Sequence, residues 1–131
     1  MVGTESVKDI VRKIGFEKGY RILDNKRTFL SSKPKISYQP DFLLIGKKGY
    51  VVVEIELTTD ARKMIVGDMV RAGLIGATYF IGIVSTKDSK KAVETYGEFL
   101  TKRIKEIGGM KVFSILLEEK DHLEQGLEKI L

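Results

Sequence analysis

Pro40-Asp41-Phe42-Leu43-Leu44-Ile45-Gly46-Lys47-Lys48-Gly49-Tyr50-Val51-Val52-Val53-Glu54-Ile55-Glu56-Leu57 places two β-rich runs, Phe42 to Ile45 and Tyr50 to Leu57, on either side of a short glycine-flanked turn. Apolar runs separated in this way mark a hairpin, so the two are expected to be adjacent antiparallel strands. Side chains alternate along a strand. Val51, Val53, Ile55 and Leu57 then point one way, and Tyr50, Val52, Glu54 and Glu56 the other. Two glutamates share a face of an otherwise apolar strand, where an unpaired carboxylate is costly. Asp41 begins the first strand, so a hairpin closed at Gly46 to Gly49 brings it near Glu54 and Glu56.

The flanking sequence supplies the remaining layers. Val7, Ile10, Val11 and Ile14 have helical spacing, with Thr4 as a candidate N-cap and Gly15 or Gly19 as the stop. A short strand is expected over Tyr20 to Leu23, followed by a basic loop from Asp24 to Gln39 with one short strand near Ile36 to Tyr38. Asp60 is positioned to cap a helix through Leu74 in which Ala61, Met64, Ile65, Asp68, Met69 and Ala72 share a face. Ala77 to Ser85 reads as a strand buried on both faces at the sheet centre. Lys90 to Ile107 reads as a helix stopped by Gly108-Gly109, with Tyr96 and Phe99 or Leu100 along one side. Lys111 to Leu117 is a last strand and His122 to Leu131 a short C-terminal helix. This order predicts an α/β fold with a mixed central sheet flanked by helices on both faces.

With 131 residues, 43% of them hydrophobic and 31% charged, the chain has material for one core beneath a charged surface, and a single domain is expected over residues 1–131. It has no cysteine, which excludes disulfides, thiolate metal sites and a cysteine nucleophile. His122 is the only histidine, so a histidine-rich metal site or a Ser-His-Asp triad is hard to build. Catalysis is left to carboxylates, lysines, hydroxyls or an oxygen-ligated metal. No long apolar run is present and Glu5, Lys8, Asp9, Arg12 and Lys13 break up the N-terminus, so no membrane partner and a cytoplasmic location are expected. The net charge of +5 favours a polyanionic partner. One Asn and two Gln among abundant Lys and Glu suit a thermophilic host.

Three converging carboxylates repel one another, and a hard divalent cation, Mg²⁺ or Mn²⁺, relieves that repulsion with oxygen ligands. Such ions complete their shell with water and substrate phosphate, so the residues point to phosphate chemistry.

Pro40-Asp41, the hairpin, and Glu54-Ile55-Glu56 on its second strand resemble the motif of the PD-(D/E)XK nuclease superfamily, which includes restriction endonucleases. The likeness covers residues 1 to 85 and implies a restriction endonuclease-like αβββαβ core. In layout the chain is most similar to archaeal Holliday junction resolvases, through Glu5 on the first helix, Gly15-Phe16, and a serine-bearing basic loop. The resemblance implies a metal-dependent endonuclease acting on DNA, with junction or branched structures as candidate substrates, and a homodimer. It implies metal ligation by Asp41, Glu54 and the Ile55 carbonyl, with Glu5 as a conditional addition. Glu56 stands where the family usually has lysine, an E-X-E arrangement shared with some active restriction enzymes. Glu56 can take a proton from the attacking water or hold a second metal, and Lys63 on the following helix is a candidate for the missing cation.

Lys26, Arg27, Lys33 and Lys35, with Ser31, Ser32, Phe29 and Tyr38 among them, suit an arm that neutralises backbone phosphates. The competing readings are a solvated basic loop, with the serines merely forming turns, and an edge strand whose Glu56 pairs with Lys47 or Lys48. Asp68 is expected to form a structural ion pair, with Arg71 a candidate partner, and His122 to start a helix. Loss of the lysine also admits a non-catalytic nucleic-acid-binding or assembly module.

Overall fold

The computed structural model describes residues 3–58 and 62–131, excluding the side chains of 62 and 63. The Asp60 cap and the Ala61 position therefore fall outside the described residues.

The hairpin forms as its sequence requires. Strands β4 (Phe42–Gly46) and β5 (Gly49–Glu56) pair antiparallel, with Phe42 opposite Val53 and Gly46 opposite Gly49. Gly49 takes φ +84°, a left-handed conformation that glycine adopts without penalty. Strand β1 (Arg21–Asp24) adds antiparallel to β4, while β6 (Tyr79–Val84) and β7 (Lys111–Leu116) add in parallel, giving the order β1-β4-β5-β6-β7. The middle strand is β5. The stretch Ala77 to Ser85, expected at the centre, supplies β6 in the adjacent interior position.

Helices cover both faces. Helices α1 (Thr4–Glu17) and α4 (Lys120–Ile130) enclose a core with Val51, Val53, Ile81 and Ile83 of the sheet, to which Val7, Val11, Ile14, Leu123 and Leu127 contribute. On the opposite face, Ile65, Met69 and Ala72 of α2 (Arg62–Leu74) and Val93 of α3 (Lys87–Arg103) pack on Val52, Phe80 and Val84. Each fully buried aliphatic side chain contributes about 1.5–3 kcal/mol relative to exposure, so these two layers dominate stability. Among the described residues no helix is long and apolar enough to cross a membrane.

Several local expectations are corrected. The basic segment is not a loop with one strand: β2 (Thr28–Ser32) and β3 (Lys35–Tyr38) form a separate two-stranded antiparallel sheet. Gly3, not Thr4, occupies the α1 N-cap. Helix α3 starts earlier than Lys90, because the Thr86 hydroxyl accepts the Ser89 N–H, and it ends where Ile104 turns extended; a 3-10 turn at Lys105–Ile107 follows. Its inward stripe is Ser89, Ala92, Val93 and Gly97, leaving Tyr96 and Phe99 exposed. Met64 is likewise exposed, not part of the buried α2 face.

Helix α3 lies so close to β7 that a Cβ on Gly97 would stand 2.6 Å from Val112 Cγ1. Alanine there gains about 1 kcal/mol of helix propensity but forces a stiff, branched side chain to move. Gly97→Ala is expected to destabilise the chain by about 1–3 kcal/mol, read as a lower urea midpoint with unchanged slope. A midpoint at or above wild type would show that Val112 yields freely.

Candidate active site

The β4–β5 ladder ends in an exchange of side chains for backbone partners. One step beyond the Phe42–Val53 pair, Glu54 Oε1 accepts the Asp41 N–H at 2.9 Å and Asp41 Oδ2 accepts the Ile55 N–H at 2.7 Å. Each carboxylate is fixed by main chain at or beside the other. The next position opposite Ile55 falls on Pro40, which has no N–H to offer the Ile55 carbonyl. The site therefore gathers two carboxylates and a carbonyl lacking its ladder donor, at the C-terminal end of β5 where parallel strands commonly leave a ligand crevice.

Glu54 lies on the middle strand and is only 6% exposed. Its second oxygen, Oε2, accepts the Tyr38 hydroxyl at 2.6 Å, and Tyr38 is itself buried at the root of the β2–β3 hairpin. The Arg71 guanidinium stands 5.3 Å from the centre of the Tyr38 ring and donates to Asp68 Oδ1 at 2.8 Å. The expected Asp68–Arg71 ion pair is thus present and forms the wall behind Glu54.

Burial, reinforced by the negative charge of Asp68, pushes the Glu54 carboxyl up to about 8, against the lowering pull of the Tyr38 hydroxyl and the Asp41 amide. Burial and then the Glu54 charge hold the Tyr38 hydroxyl far above the ordinary phenol range, so it remains a donor at any working pH. An edge strand with a solvated acidic face is not what forms.

Glu56 follows on the same face of β5, half-buried, and its Oε1 accepts the Thr58 hydroxyl at 2.9 Å. Lys47 and Lys48 occupy the turn at the far end of this eight-residue strand, roughly 25 Å away, which rules out the pairing with Glu56. Among the described residues no group of three or more acidic or histidine side chains is gathered closely enough to hold one ion. Asp41 and Glu54 are brought together; the third acid does not join them. Glu5 is exposed in the first turn of α1, and α1 packs on the face of the sheet opposite Glu54, so the fold does not bring it to the pair. Lys63 belongs to α2, with its side chain outside the described residues.

Lys26, Arg27, Ser32, Lys33 and Lys35 are exposed on or beside the two-stranded hairpin, with Ser31 half-buried and Phe29 open to solvent beneath the Lys35 ammonium. His122 is exposed in the first turn of α4. The residue that sequence reasoning missed is Tyr38. Its identity as an aromatic amid basic residues suggested a surface role, and only strand alternation ending at Pro40 would have signalled that it turns inward.

An acid whose pKa rises on folding stabilises the folded state fully below its unfolded value, 4.5, and loses that contribution as pH climbs to about 8. In metal-free buffer the thermal midpoint is expected to fall between pH 5 and 8 by an amount equivalent to a few kcal/mol. Glu54→Gln, which mimics the neutral acid, should flatten that slope; a flat wild-type profile would show that Glu54 is charged throughout. Tyr38→Phe leaves Oε2 without its donor and is expected to cost about 1–3 kcal/mol by denaturant titration. Comparison of the chain with protein-family models, with curated proteins and with solved structures found no match.

Proposed function

We propose that this chain is a Mg²⁺- or Mn²⁺-dependent endonuclease that hydrolyses DNA phosphodiester bonds, built on a restriction endonuclease-like core. The observation that carries the reading is the Asp41–Glu54 pair beside a carbonyl lacking its ladder donor. An all-oxygen donor set of this kind suits a hard divalent cation. Asp41, Glu54 and the Ile55 carbonyl would hold the ion. When bound, such an ion supplies Lewis-acid charge at a scissile phosphate and lowers the pKa of a coordinated water.

The chain's own residues complete the task. Tyr38 orients Glu54, the half-buried Glu56 stands two residues on to accept a proton from water, and the exposed Lys26, Arg27, Lys33 and Lys35 neutralise backbone phosphates without reading sequence. No base-reading helix is evident in the sequence, which favours recognition of DNA structure, such as a branch or junction, over sequence. Lys63 remains the candidate cation from α2.

A second reading has its own support. Both Glu54 oxygens already have donors within the chain, and no third acid joins the pair among the described residues. A non-catalytic nucleic-acid-binding or assembly module requires nothing more.

Incubation with linear, nicked, flapped and four-way DNA, with and without Mn²⁺, separates the two. Metal-dependent cutting is expected, reduced by about 100-fold or more in Asp41→Ala. DNA binding without cutting, and no heat of Mn²⁺ binding by calorimetry with DNA present, would establish the module instead. Because Glu54 must ionise to ligate, Mn²⁺ affinity is expected to rise as pH approaches about 8, with proton release on binding.

A further inference from the structure

We propose that the open edge of β7 is a self-pairing surface through which two copies of this chain form a twofold dimer, with Ser114 of each strand at the axis. A homodimer is also what the nuclease resemblance implies, but the surface assigned to it rests on the far edge of the sheet and on none of the residues of the acidic pair.

Among the described residues β7 pairs with β6 alone. The Lys111 N–H donates to the Thr78 carbonyl at 2.9 Å and the Leu117 N–H to the Val84 carbonyl at 2.7 Å. Backbone groups alternate in direction along a strand. The N–H and C=O groups of Val112, Ser114 and Leu116 therefore point away from the sheet. Proteins commonly guard such an edge with proline, a bulge, short length or charge. Strand β1, at the other edge, has four residues with Arg21 and Asp24 at its ends. Strand β7 has six residues, a regular register, no proline and a single charge, Lys111.

The three outward positions are symmetric about Ser114. In an antiparallel pair of two copies, Ser114 faces Ser114 and Val112 faces Leu116, so every outward donor meets an outward acceptor with none left over. Charge is complementary in the same register. The strand begins at exposed Lys111, beside Tyr79 of β6 over whose ring Lys48 stands, and is followed by exposed Glu118 and Glu119. Antiparallel pairing sets Lys111 opposite Leu117 of the second copy, so the basic end of each strand meets the acidic end of the other, twice. Glu94, which accepts the Ser114 hydroxyl, reaches the axis already paired with Lys90. A cavity of about 460 Å³ lies between β7 and α4, lined by Ser114 and Leu116 with Lys48 and Lys129, and a second of about 390 Å³, on the α3 side beside Lys111 and Val112, is lined by Glu94 and Glu98. The acidic end of an incoming strand is therefore received on the α4 side, by Lys48 and Lys129, and not on the α3 side. A closed twofold pair also removes both open edges at once.

Sedimentation equilibrium of the full chain, without DNA or metal, tests the pairing independently of any nuclease activity. Wild type is expected to be a dimer, with amide exchange at Val112, Ser114 and Leu116 slowing as concentration rises. Ser114→Pro removes an outward N–H without touching the β6 ladder and should give a folded monomer by circular dichroism. Lys111→Glu should weaken association about tenfold or more, and adding Glu118→Lys and Glu119→Lys should restore it. That charge-swap set decides the matter if the proline variant fails to fold. A monomeric wild type, including one whose edge amides are protected only by an added acidic peptide, would overturn the proposal. So would a dimer indifferent to the charge swap.

Discussion

One carboxyl group buried in the middle strand governs the architecture around it. Glu54 occupies a position where the adjacent β6 presents Phe80, Gly82 and Val84, an apolar setting for a carboxyl group. Retaining an acid there requires donors. The chain provides two, and both depend on folding events elsewhere: the Asp41 amide arrives only when the hairpin closes in register, and the Tyr38 hydroxyl only when the β2–β3 arm folds against α2. The site and the fold thus impose the same conditions on the sequence.

The parts of the structure that the sequence revealed are those written in local apolar periodicity. The hairpin from Phe42 to Glu56, the α1 stripe at Val7, Ile10, Val11 and Ile14, and the apolar run giving β6 each carry their burial in spacing. Of the β2–β3 arm only the β3 stretch near Ile36 to Tyr38 was legible, because a two-stranded sheet outside the main core leaves most of its side chains in water and has no apolar alternation to display. The start of α3 was obscured for a different reason: its cap is a hydroxyl at Thr86, and its inward stripe uses Ser89 and Gly97, small residues that hydropathy reading passes over.

Within the site, pairing of Asp41 with Glu54 followed from turn length alone. Meeting of all three acids did not, because sharing a strand face sets Glu54 and Glu56 about 7 Å apart along the chain and their partners then diverge, Tyr38 and Asp41 for one and Thr58 for the other. Long-range partners of this sort are set by tertiary packing. Nothing in the spacing of Tyr38, Asp68 and Arg71 announces that they converge behind Glu54, since they come from an arm and a helix whose relative placement the sequence does not print.

The arm touches the main sheet through the phenol at its base, and that single O–H has a mechanical meaning. The bond is stronger to a carboxylate than to a neutral acid, so ionisation at the bottom of the crevice tightens the joint and protonation slackens it. Linkage makes the relation reciprocal: whatever grips the projecting basic finger and draws its root inward also favours the charged form of the acid beneath. Stiffness of an appendage and acidity of a buried group are, in this molecule, two readings of one equilibrium.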